Sequence, residues 1–325
     1  MVNAKPAKTI FAADIGATNS RFGHFFVDEE GTLYQADSIW VETHSSSSFA
    51  DLLDRIRDEN FSLVPEDADM AVIGVAGPVE KATRSEPPFI SWKIDISNAH
   101  ADYGLKKCLL INDFVAQAYA CRSPKAESKK VVLEGLVDPD AALATLGAGS
   151  NLGKAILAPD GHGGFLALPT EGGHTNMPLV SEREIEFSRF VCAQTQEDYV
   201  TQNTVVSGKG LSFIHHFLTG EKLTPKEVGK KVGASDETVR WMATFYGRVC
   251  RNFALDCLSM GGVYIAGGLA AKIPLLVEHP FFGREFRTSR TSGRILEKMP
   301  VFLMPEEETG LWGAAYLGKQ KLAQK

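Results

Sequence analysis

The chain has 325 residues, 44% of them hydrophobic, and this length is sufficient for two packed domains. Its formal charge is −6 and it has no long basic run, so no nucleic-acid partner is expected. No stretch approaches the roughly 20 apolar residues of a membrane span and the five cysteines form no CxxC pair, which predicts a cytoplasmic protein with reduced, buried thiols.

Short β-rich segments that end in glycine alternate with helical segments along the chain, which is typical of an α/β protein. Strands are predicted at 9–16, 70–79, 107–113, 143–149, 154–159, 164–169 and 261–268. A helix is predicted over 48–59, because apolar residues fall there at helical spacing. Its apolar face consists of Phe49, Leu52, Leu53 and Ile56. A longer helix is predicted from near Ser235 to the glycine pair at 261–262.

A strand–turn–strand pattern occurs twice, as DIGATNSR after one strand and as GAGSNLG after another. Each turn carries glycine, a small hydroxyl residue and asparagine. The repetition suggests a duplicated α/β unit whose turns face one cleft. The polar, proline-containing segment RSPKAESKK, near residue 122, is the expected linker between two domains.

Both glycine-rich turns are candidates for phosphate binding, since glycine permits close approach and the exposed N–H, hydroxyl and amide groups can donate to phosphate oxygens. An ordinary hairpin turn would use the same residues, so the occurrence of two turns favours the functional reading. Rossmann and P-loop motifs are disfavoured, because the spacing differs and a strand follows instead of a helix. The candidates in the first turn are Asp14, Gly16, Ala17, Thr18, Asn19 and Arg21, and those in the second are Gly147, Gly149, Ser150 and Asn151.

Asn112 and Asp113 follow an apolar strand and precede the helical segment FVAQAYAC. Ligand chemistry in open α/β sheets occurs at such strand ends. Asp113 could be the N-cap of that helix, which is the commoner role of an aspartate in this position. If a sugar hydroxyl lay against it, Asp113 would act as a general base, and such help is typically worth about 10²–10⁴ in rate.

The segment LPTEGGH places Glu171 and His174 around two glycines, on a loop that Pro169 and the glycines keep from being a helix. Such side chains suit a polyol, whose hydroxyls both donate and accept, although a solvated loop would look the same. Gly267 and Gly268 end the strand GGVYIAGG and could admit a base or ribose, or simply allow tight packing. The adjacent His215 and His216 are interpreted as structural.

Taken in chain order, these segments resemble the bacterial glucokinase family of the sugar kinase and actin superfamily. ADIGATNSR is similar to the first phosphate motif of the family, INDF to its catalytic Asn-Asp, and LGAGSNLG to its second phosphate motif. LPTEGGH is similar to its sugar-binding segment and YIAGG to its adenosine motif. The order of the motifs, which span nearly the whole chain, is what makes the resemblance specific.

The resemblance implies a two-lobed actin-like (ribonuclease H-like) ATPase fold with a cleft between duplicated α/β domains. The expected small lobe comprises 1–122 and a C-terminal helix at 308–325, and the large lobe comprises 123–307. The implied enzyme is a glucokinase that transfers phosphate from ATP to the 6-hydroxyl of D-glucose, the first step of glycolysis, with Asp113 as base. MgATP is the implied donor, with Asp14 contacting Mg²⁺ through the nucleotide. A homodimer and the absence of a structural zinc are also expected.

Two positions depart from the family pattern on the sugar side. Asn203 stands where an acid is usual, and it remains a candidate sugar contact because an amide both donates and accepts; Phe89 stands where an asparagine is usual, three residues before Trp92. The loss of a hydroxyl partner can change discrimination between sugars by orders of magnitude. The alternatives are a kinase for another hexose or an amino sugar, or a non-catalytic sugar-binding regulator, which the intact Asp113 disfavours. Milder departures beside the expected ligand loops are Ala17 and Lys209.

Overall fold

The computed structural model describes residues 7–59, 61–305 and 308–324. The chain divides into two units, the first comprising Met1–Glu127 and Glu307–Lys325 and the second comprising Ser128–Glu306. Each unit has its own β-sheet and its own hydrophobic core. In the described part of the chain, no helix combines the length and the apolar character that crossing a membrane requires.

The strands of the first unit form a sheet that begins as an antiparallel meander and continues as parallel strands. They are β1 (Lys8–Ile15), β2 (Asn19–Val27), β3 (Leu33–Glu42), β4 (Met70–Val75), β5 (Arg84–Ser85), β6 (Ile94–Asp95) and β7 (Cys108–Asn112). The spatial order in the main sheet is β3-β2-β1-β4-β7, and β5 pairs with β6 separately. β1, β4 and β7 are parallel, so their carboxyl ends lie along one edge of the sheet.

The helices of the first unit cover this sheet. They are α1 (Phe49–Asp58), α2 (Ala99–Tyr103), α3 (Asp113–Ala120) and, from the far end of the chain, α13 (Thr309–Ala323). α1 forms as predicted: the Ser48 side chain accepts a hydrogen bond from the Asp51 N–H at its N-terminus, and all four residues of the predicted apolar face are buried. α13 packs against α3, β1 and β4, so the end of the chain completes the core of the first unit.

The second unit contains a mixed sheet. Its strands are β8 (Lys130–Leu133), β9 (Leu143–Ala148), β10 (Leu152–Pro159), β11 (Phe165–Thr170), β12 (Val263–Ala266) and β13 (Val301–Leu303). Their spatial order is β11-β10-β9-β12-β13-β8, with β9, β12 and β13 parallel and the remaining pairs antiparallel. Each of the seven strand segments predicted from the sequence overlaps an observed strand.

Helices make up most of the rest of the second unit. They are α4 (Glu182–Thr195), α5 (Gln202–Val205), α6 (Gly208–Thr219), α7 (Pro225–Lys231), α8 (Glu237–Asp256), α9 (Gly268–Lys272), α10 (Leu275–Glu278), α11 (Pro280–Arg287) and α12 (Gly293–Leu296). Among the short 3-10 helices of the chain, Gly172–His174 lies in the second unit, Thr43–Ser45 and Pro65–Asp67 lie in the first, and Pro124–Ser128 lies at the boundary between them.

α8 is the central helix of the second core, and it begins after Asp236, whose side chain accepts from the Thr238 N–H. It ends at Asp256, earlier than the predicted glycine stop, because Leu258 already adopts a positive φ of 45°. Arg248 of α8 is 1% exposed and binds Glu184 at 2.8 Å and Glu285 at 2.9 Å. This buried ion network ties α8 to α4 and α11.

The cysteines are free thiols, as the sequence suggested, but the prediction that they are buried holds only in part. Cys121 and Cys250 are buried, whereas Cys108, Cys192 and Cys257 keep partial exposure. Apolar neighbours in sequence did not guarantee burial, because these three residues lie at the ends of elements or on half-buried helix faces.

Candidate active site

The first glycine-rich turn joins β1 to β2 and is held by hydrogen bonds within the first unit. The Gly16 N–H donates to the Asn19 carbonyl oxygen at 3.2 Å. Thr43, which no sequence pattern singled out, donates its hydroxyl to the Gly16 carbonyl oxygen at 2.7 Å and its N–H to the Thr18 carbonyl oxygen at 2.9 Å. These two hydrogen bonds from Thr43 stabilise the conformation of the turn. Thr18 and Asn19 are exposed, and Ala17 is half-buried.

Asp14 lies near the end of β1, opposite Arg21 in the antiparallel register. Arg21 Nη1 donates to Asp14 Oδ2 at 3.1 Å, and the guanidinium group lies 4.3 Å from the centre of the Trp40 ring. Burial raises the pKa of Asp14, and the positive charge of Arg21 opposes that rise. Gly310, in the first turn of α13, approaches so closely that a Cβ atom there would lie 2.8 Å from Asp14 Oδ2. The sequence predicted a C-terminal helix at 308–325 but gave no sign that Gly310 would contact Asp14.

Asn112 and Asp113 lie where β7 passes into α3. The N-cap of α3 is Asn112, whose Oδ1 accepts from the Phe114 N–H at 2.9 Å and whose Nδ2 donates to the Gly77 carbonyl oxygen at 2.9 Å. The interpretation of Asp113 as the N-cap is therefore wrong, because Asp113 is the first residue of the helix. Its Oδ1 also accepts from the Phe114 N–H, at 2.9 Å. Asn112 therefore provides the N-cap contact that was considered for Asp113.

The pKa of the Asp113 carboxyl group lies near neutral pH, where the group can both accept and release a proton. Burial raises its pKa from 3.8 to about 7, and the negative charge of Asp14 adds to the rise. The hydrogen bonds from Phe114 and Asn112 act in the opposite direction. Asp14 lies near the end of β1 and Asp113 directly follows β7, and β1, β4 and β7 are parallel, so both carboxyl groups lie at the edge of the sheet where ligands of α/β proteins bind. A carboxyl group with a pKa near the working pH is suited to general-base catalysis.

The second glycine-rich turn joins β9 to β10, so the predicted strand–turn–strand pattern is present in both units. The Gly149 N–H donates to the Asn151 carbonyl oxygen at 2.8 Å, and the Gly149 carbonyl oxygen accepts from the Gly208 N–H at 2.9 Å. Position 147 requires glycine, since a Cβ atom there would lie 2.1 Å from the Ala266 carbonyl oxygen of β12. The turn is therefore held between the adjacent strand and the start of α6.

Asn203, a predicted sugar contact, lies in α5 and supports the second turn. Its Oδ1 accepts from the Leu152 N–H at 2.7 Å, and its Nδ2 donates to Asn151 Oδ1 at 3.5 Å. The Asn203 amide is thus shared with the backbone of β10, which the sequence did not indicate. A sugar contact at this position stays a prediction.

A cavity of about 990 Å³ opens beside the second turn, within the second unit. The predicted residues Gly149, Ser150 and Gly268 line it, and Gly267 is the N-cap of α9 with a positive φ of 85°. The sequence did not predict that four lysines would also line this cavity, namely Lys209, Lys226, Lys230 and Lys272. Lysines and backbone N–H groups are suited to the phosphates of a nucleotide.

Glu171 and His174 lie just beyond β11, around a single turn of 3-10 helix. The prediction that this segment contains no helix is therefore wrong for Gly172–His174. Their side chains are 75% and 62% exposed, and His174 Nε2 lies 3.8 Å from Glu171 Oε2. Thr175 donates its hydroxyl to the Gly172 carbonyl oxygen at 2.9 Å, which closes the turn. The structure thus brings the two predicted sugar residues together on one exposed surface.

Lys154 and Gln202 are buried polar residues beside this turn that sequence reasoning missed. Lys154 Nζ donates to Gln202 Oε1 at 2.6 Å and to the Gly172 carbonyl oxygen at 3.2 Å. From the sequence, Lys154 was notable only because its surroundings approach the spacing of a P-loop. The structure contains no P-loop there, because the turn is followed by the strand β10 and not by a helix.

Comparison with known proteins gives one consistent result. A family model described as Glucokinase matches residues 11–321. A glucokinase of Saccharophagus degradans is 30% identical over 314 residues, which cover 93% of this chain and 96% of the relative.

Solved structures agree in fold. The glucokinase from an Antarctic psychrotroph superposes with a TM-score of 0.83 at 21% identity, covering 96% of this chain and 99% of that one. A ROK family glucokinase from Streptomyces griseus, solved in complex with glucose and AMPPNP, superposes with a TM-score of 0.64 at 19% identity, over 96% and 99% of the two chains. The predicted two-lobed actin-like fold is confirmed by these likenesses.

Proposed function

Because this chain belongs to the glucokinase family, we propose that it transfers the γ-phosphoryl group of ATP to the 6-hydroxyl of D-glucose, with Asp113 as general base. The observation that carries the proposal is the raised pKa of Asp113, about 7, at the carboxyl end of β7. A base with this pKa is about half ionised near pH 7, so the ionised form is present and can accept a proton.

Asp113 would orient the sugar and remove one proton. Its carboxylate accepts a hydrogen bond from the 6-hydroxyl and takes the proton as the sugar oxygen forms its bond to the γ-phosphorus. The bond between the γ-phosphorus and the bridging oxygen breaks, and ADP leaves with that oxygen. Base assistance of this kind contributes about 10²–10⁴ in rate, and most of the remaining acceleration comes from positioning and electrostatics.

Asp14 fits a Mg²⁺ ion that arrives with the nucleotide. Its carboxylate is a hard oxygen ligand, and burial has raised its pKa although Arg21 lies beside it, so a further cation would be favourable. Within residues 7–59, 61–305 and 308–324, no cluster of three or more His, Cys, Asp or Glu side chains could hold a metal alone. The remaining ligands would be phosphate and water oxygens. When bound, the ion would neutralise charge on the β- and γ-phosphates.

The second unit would hold the nucleotide and part of the sugar. Gly149 and Ser150 line the cavity beside the second turn, and its lysines offer positive charge to the phosphates. Glu171 and His174 are exposed together and can accept and donate hydrogen bonds to sugar hydroxyls. A homodimer is part of this proposal, and sedimentation of the purified protein would test it.

The preferred sugar is the part of the proposal that most needs measurement. Asn203 replaces an acid and already bonds to Leu152, and Phe89 is 59% exposed at the second position of departure. The test is an ATP-coupled assay with glucose, mannose, fructose, glucosamine and N-acetylated hexosamines. We expect glucose to give the highest kcat/KM, and preference for another sugar would reassign the acceptor.

Two variants identify the base. Asp113→Asn should lose nearly all turnover, whereas Asp58→Asn, an exposed acid at the end of α1 in the same unit, should keep it. If the parent binds a sugar but neither protein consumes ATP, the chain is a sugar-binding regulator and the proposal is wrong.

Asn203→Glu tests the sugar contact directly. The change should lower the KM for glucose more than that for mannose if this position faces the C1–C2 side of the ring. An unchanged sugar profile would leave Asn203 with only its structural role at the second turn.

A further inference from the structure

Lys154 is a buried cation in the second unit that the proposed chemistry does not use. It lies in β10, directly after the GAGSNLG segment that contains the second glycine-rich turn, and it is 4% exposed. Its Nζ donates to Gln202 Oε1 at 2.6 Å and to the Gly172 carbonyl oxygen at 3.2 Å, and it lies 5.1 Å from the centre of the Phe253 ring. Both of these hydrogen-bond acceptors of the ammonium group are neutral, an amide oxygen and a backbone carbonyl oxygen.

The ammonium group and the Gln202 side chain contribute to the contacts among three segments. Gln202 Nε2 donates to the Thr175 hydroxyl at 2.8 Å, and the Gln202 N–H donates to the Thr175 carbonyl oxygen at 2.9 Å. The Thr175 hydroxyl in turn donates to the Gly172 carbonyl oxygen at 2.9 Å. β10, α5 and the turn that carries Glu171 and His174 therefore share one hydrogen-bonded network centred on Lys154.

A buried ammonium group with neutral acceptors is costly for a fold, since an apolar side chain of similar length would fill the same space without desolvating a charge. Burial lowers the pKa of Lys154 to about 8, which reflects this cost. Residues that weaken the fold in this way are expected at functional sites. The turn contacted here is the one that carries the two predicted sugar residues.

We propose that Lys154 is a positioning residue, which holds the turn between Glu171 and Thr175 in the conformation that binds the sugar. The inference rests on the proposed function, because it gives a role to a residue behind the sugar-binding turn. Lys154 itself is buried and does not touch the sugar. Its removal should weaken sugar binding, with little effect on the KM for ATP or on the rate at saturating sugar.

The charge of Lys154 also makes sugar binding pH-dependent. The titratable groups whose charges act on it are Cys250, Asp256 and Cys257, on α8 and just beyond it. Burial raises the pKa of both thiols, that of Cys257 to about 11, so both stay neutral below about pH 9. Loss of the Lys154 proton leaves two N–H donors but removes the charge that strengthens both hydrogen bonds. Sugar affinity should therefore fall as the pH rises through about 8.

The experiment is calorimetric titration of the full chain with glucose in the absence of ATP. Lys154→Met should raise the Kd for glucose about tenfold, the loss expected for a hydrogen bond to a charged donor. The matched control is Lys130→Met, an exposed lysine of β8 in the same unit, which should bind glucose as the parent does. Steady-state kinetics should show a raised KM for glucose and an unchanged KM for ATP.

Lys154→Arg supplies a second variant that keeps the charge. An arginine stays protonated over the whole range, so this variant should lose the alkaline rise of Kd that the parent shows between about pH 7 and about pH 9. The parent alone already tests the inference if Lys154→Met does not fold. A Kd that is the same at both ends of this pH range in the parent would overturn it.

The outcomes separate this inference from the proposed function. If the parent binds and phosphorylates glucose while Lys154→Met binds it equally well, the positioning role is wrong and the function stands. If the parent binds no sugar of the panel, the proposed function is wrong and the inference falls with it. Equal weakening of glucose and ATP binding by Lys154→Met would indicate a general structural role and would also overturn the inference.

Discussion

Replacement of Asp113 by Asn separates the catalytic use of this carboxyl group from its cost to the fold. In the folded protein its pKa is raised from 3.8 to about 7, because burial and the charge of Asp14 disfavour the ionised form. At about 1.36 kcal/mol for each pKa unit, the rise corresponds to about 4 kcal/mol of stability that is lost above pH 7. Asp113 keeps partial solvent access, so this figure is an upper limit.

The sign of the effect follows from where the proton is bound. Below the unfolded pKa near 3.8 both states are protonated and the cost is absent, and it is complete once the pH exceeds about 7. Asparagine carries no charge, so the gain in stability of Asp113→Asn should be up to about 4 kcal/mol at about pH 8 and only about 1.5 kcal/mol at about pH 5. The same change should lower kcat about 10²–10⁴-fold.

Calorimetric unfolding of the parent and the variant at these two pH values measures the effect. The increase in Tm caused by the substitution should be larger at about pH 8 than at about pH 5, by roughly 4 °C for a chain of this length. Asp58→Asn, the exposed control, should change Tm little at either pH. An equal increase in Tm at both pH values would show that Asp113 does not titrate near neutral pH, and would refute the reasoning.

Three further predictions concern activity and stability. The kcat/KM for glucose should fall as the pH drops below about 7, because protonated Asp113 cannot accept the hydroxyl proton; initial rates across this range measure it, and a flat profile would contradict it. Arg248→Met should cost about 3–5 kcal/mol in urea unfolding, because it leaves the buried Glu184 without its cation, and a loss below about 1 kcal/mol would mean that the pair is dispensable. Gly310→Ala places a methyl group within 2.8 Å of Asp14 Oδ2 and should lower the kcat/KM for ATP about 10²-fold, with an unchanged value arguing against a role for Asp14.

Features whose cause is local could be predicted from the sequence. The apolar face of α1 follows from side-chain spacing alone, and all of its predicted residues are buried. Both glycine-rich hairpins also form, since glycine and asparagine at a turn between apolar strands leave few alternatives. The strand that precedes Asp113 was predicted from its run of apolar residues, and β7 is observed there. The N-cap role considered as an alternative for Asp113 belongs to Asn112, although both side chains accept from the Phe114 N–H.

Features that depend on contacts distant in sequence could not be predicted. A lysine in a strand suggests solvent exposure, and Lys154 is buried only because Gln202 and Gly172 supply acceptors from other elements. Thr43 braces the first turn although it lies beyond β3. Gly310 meets Asp14 only once the end of the chain has packed on the first sheet. Each of these contacts is set by tertiary packing, for which one sequence carries no direct signal.

The position of α13 determines the order in which the two units are completed during synthesis on the ribosome. The second unit is one continuous stretch of chain, so all of its residues are made before α13. The first unit still lacks α13 at that moment, although most of its residues were made earlier. Domains generally fold as units while the chain is being made. The first unit therefore begins to form first but is completed last, when α13 packs on its sheet. Asp14 meets Gly310 only after α13 has left the ribosomal tunnel.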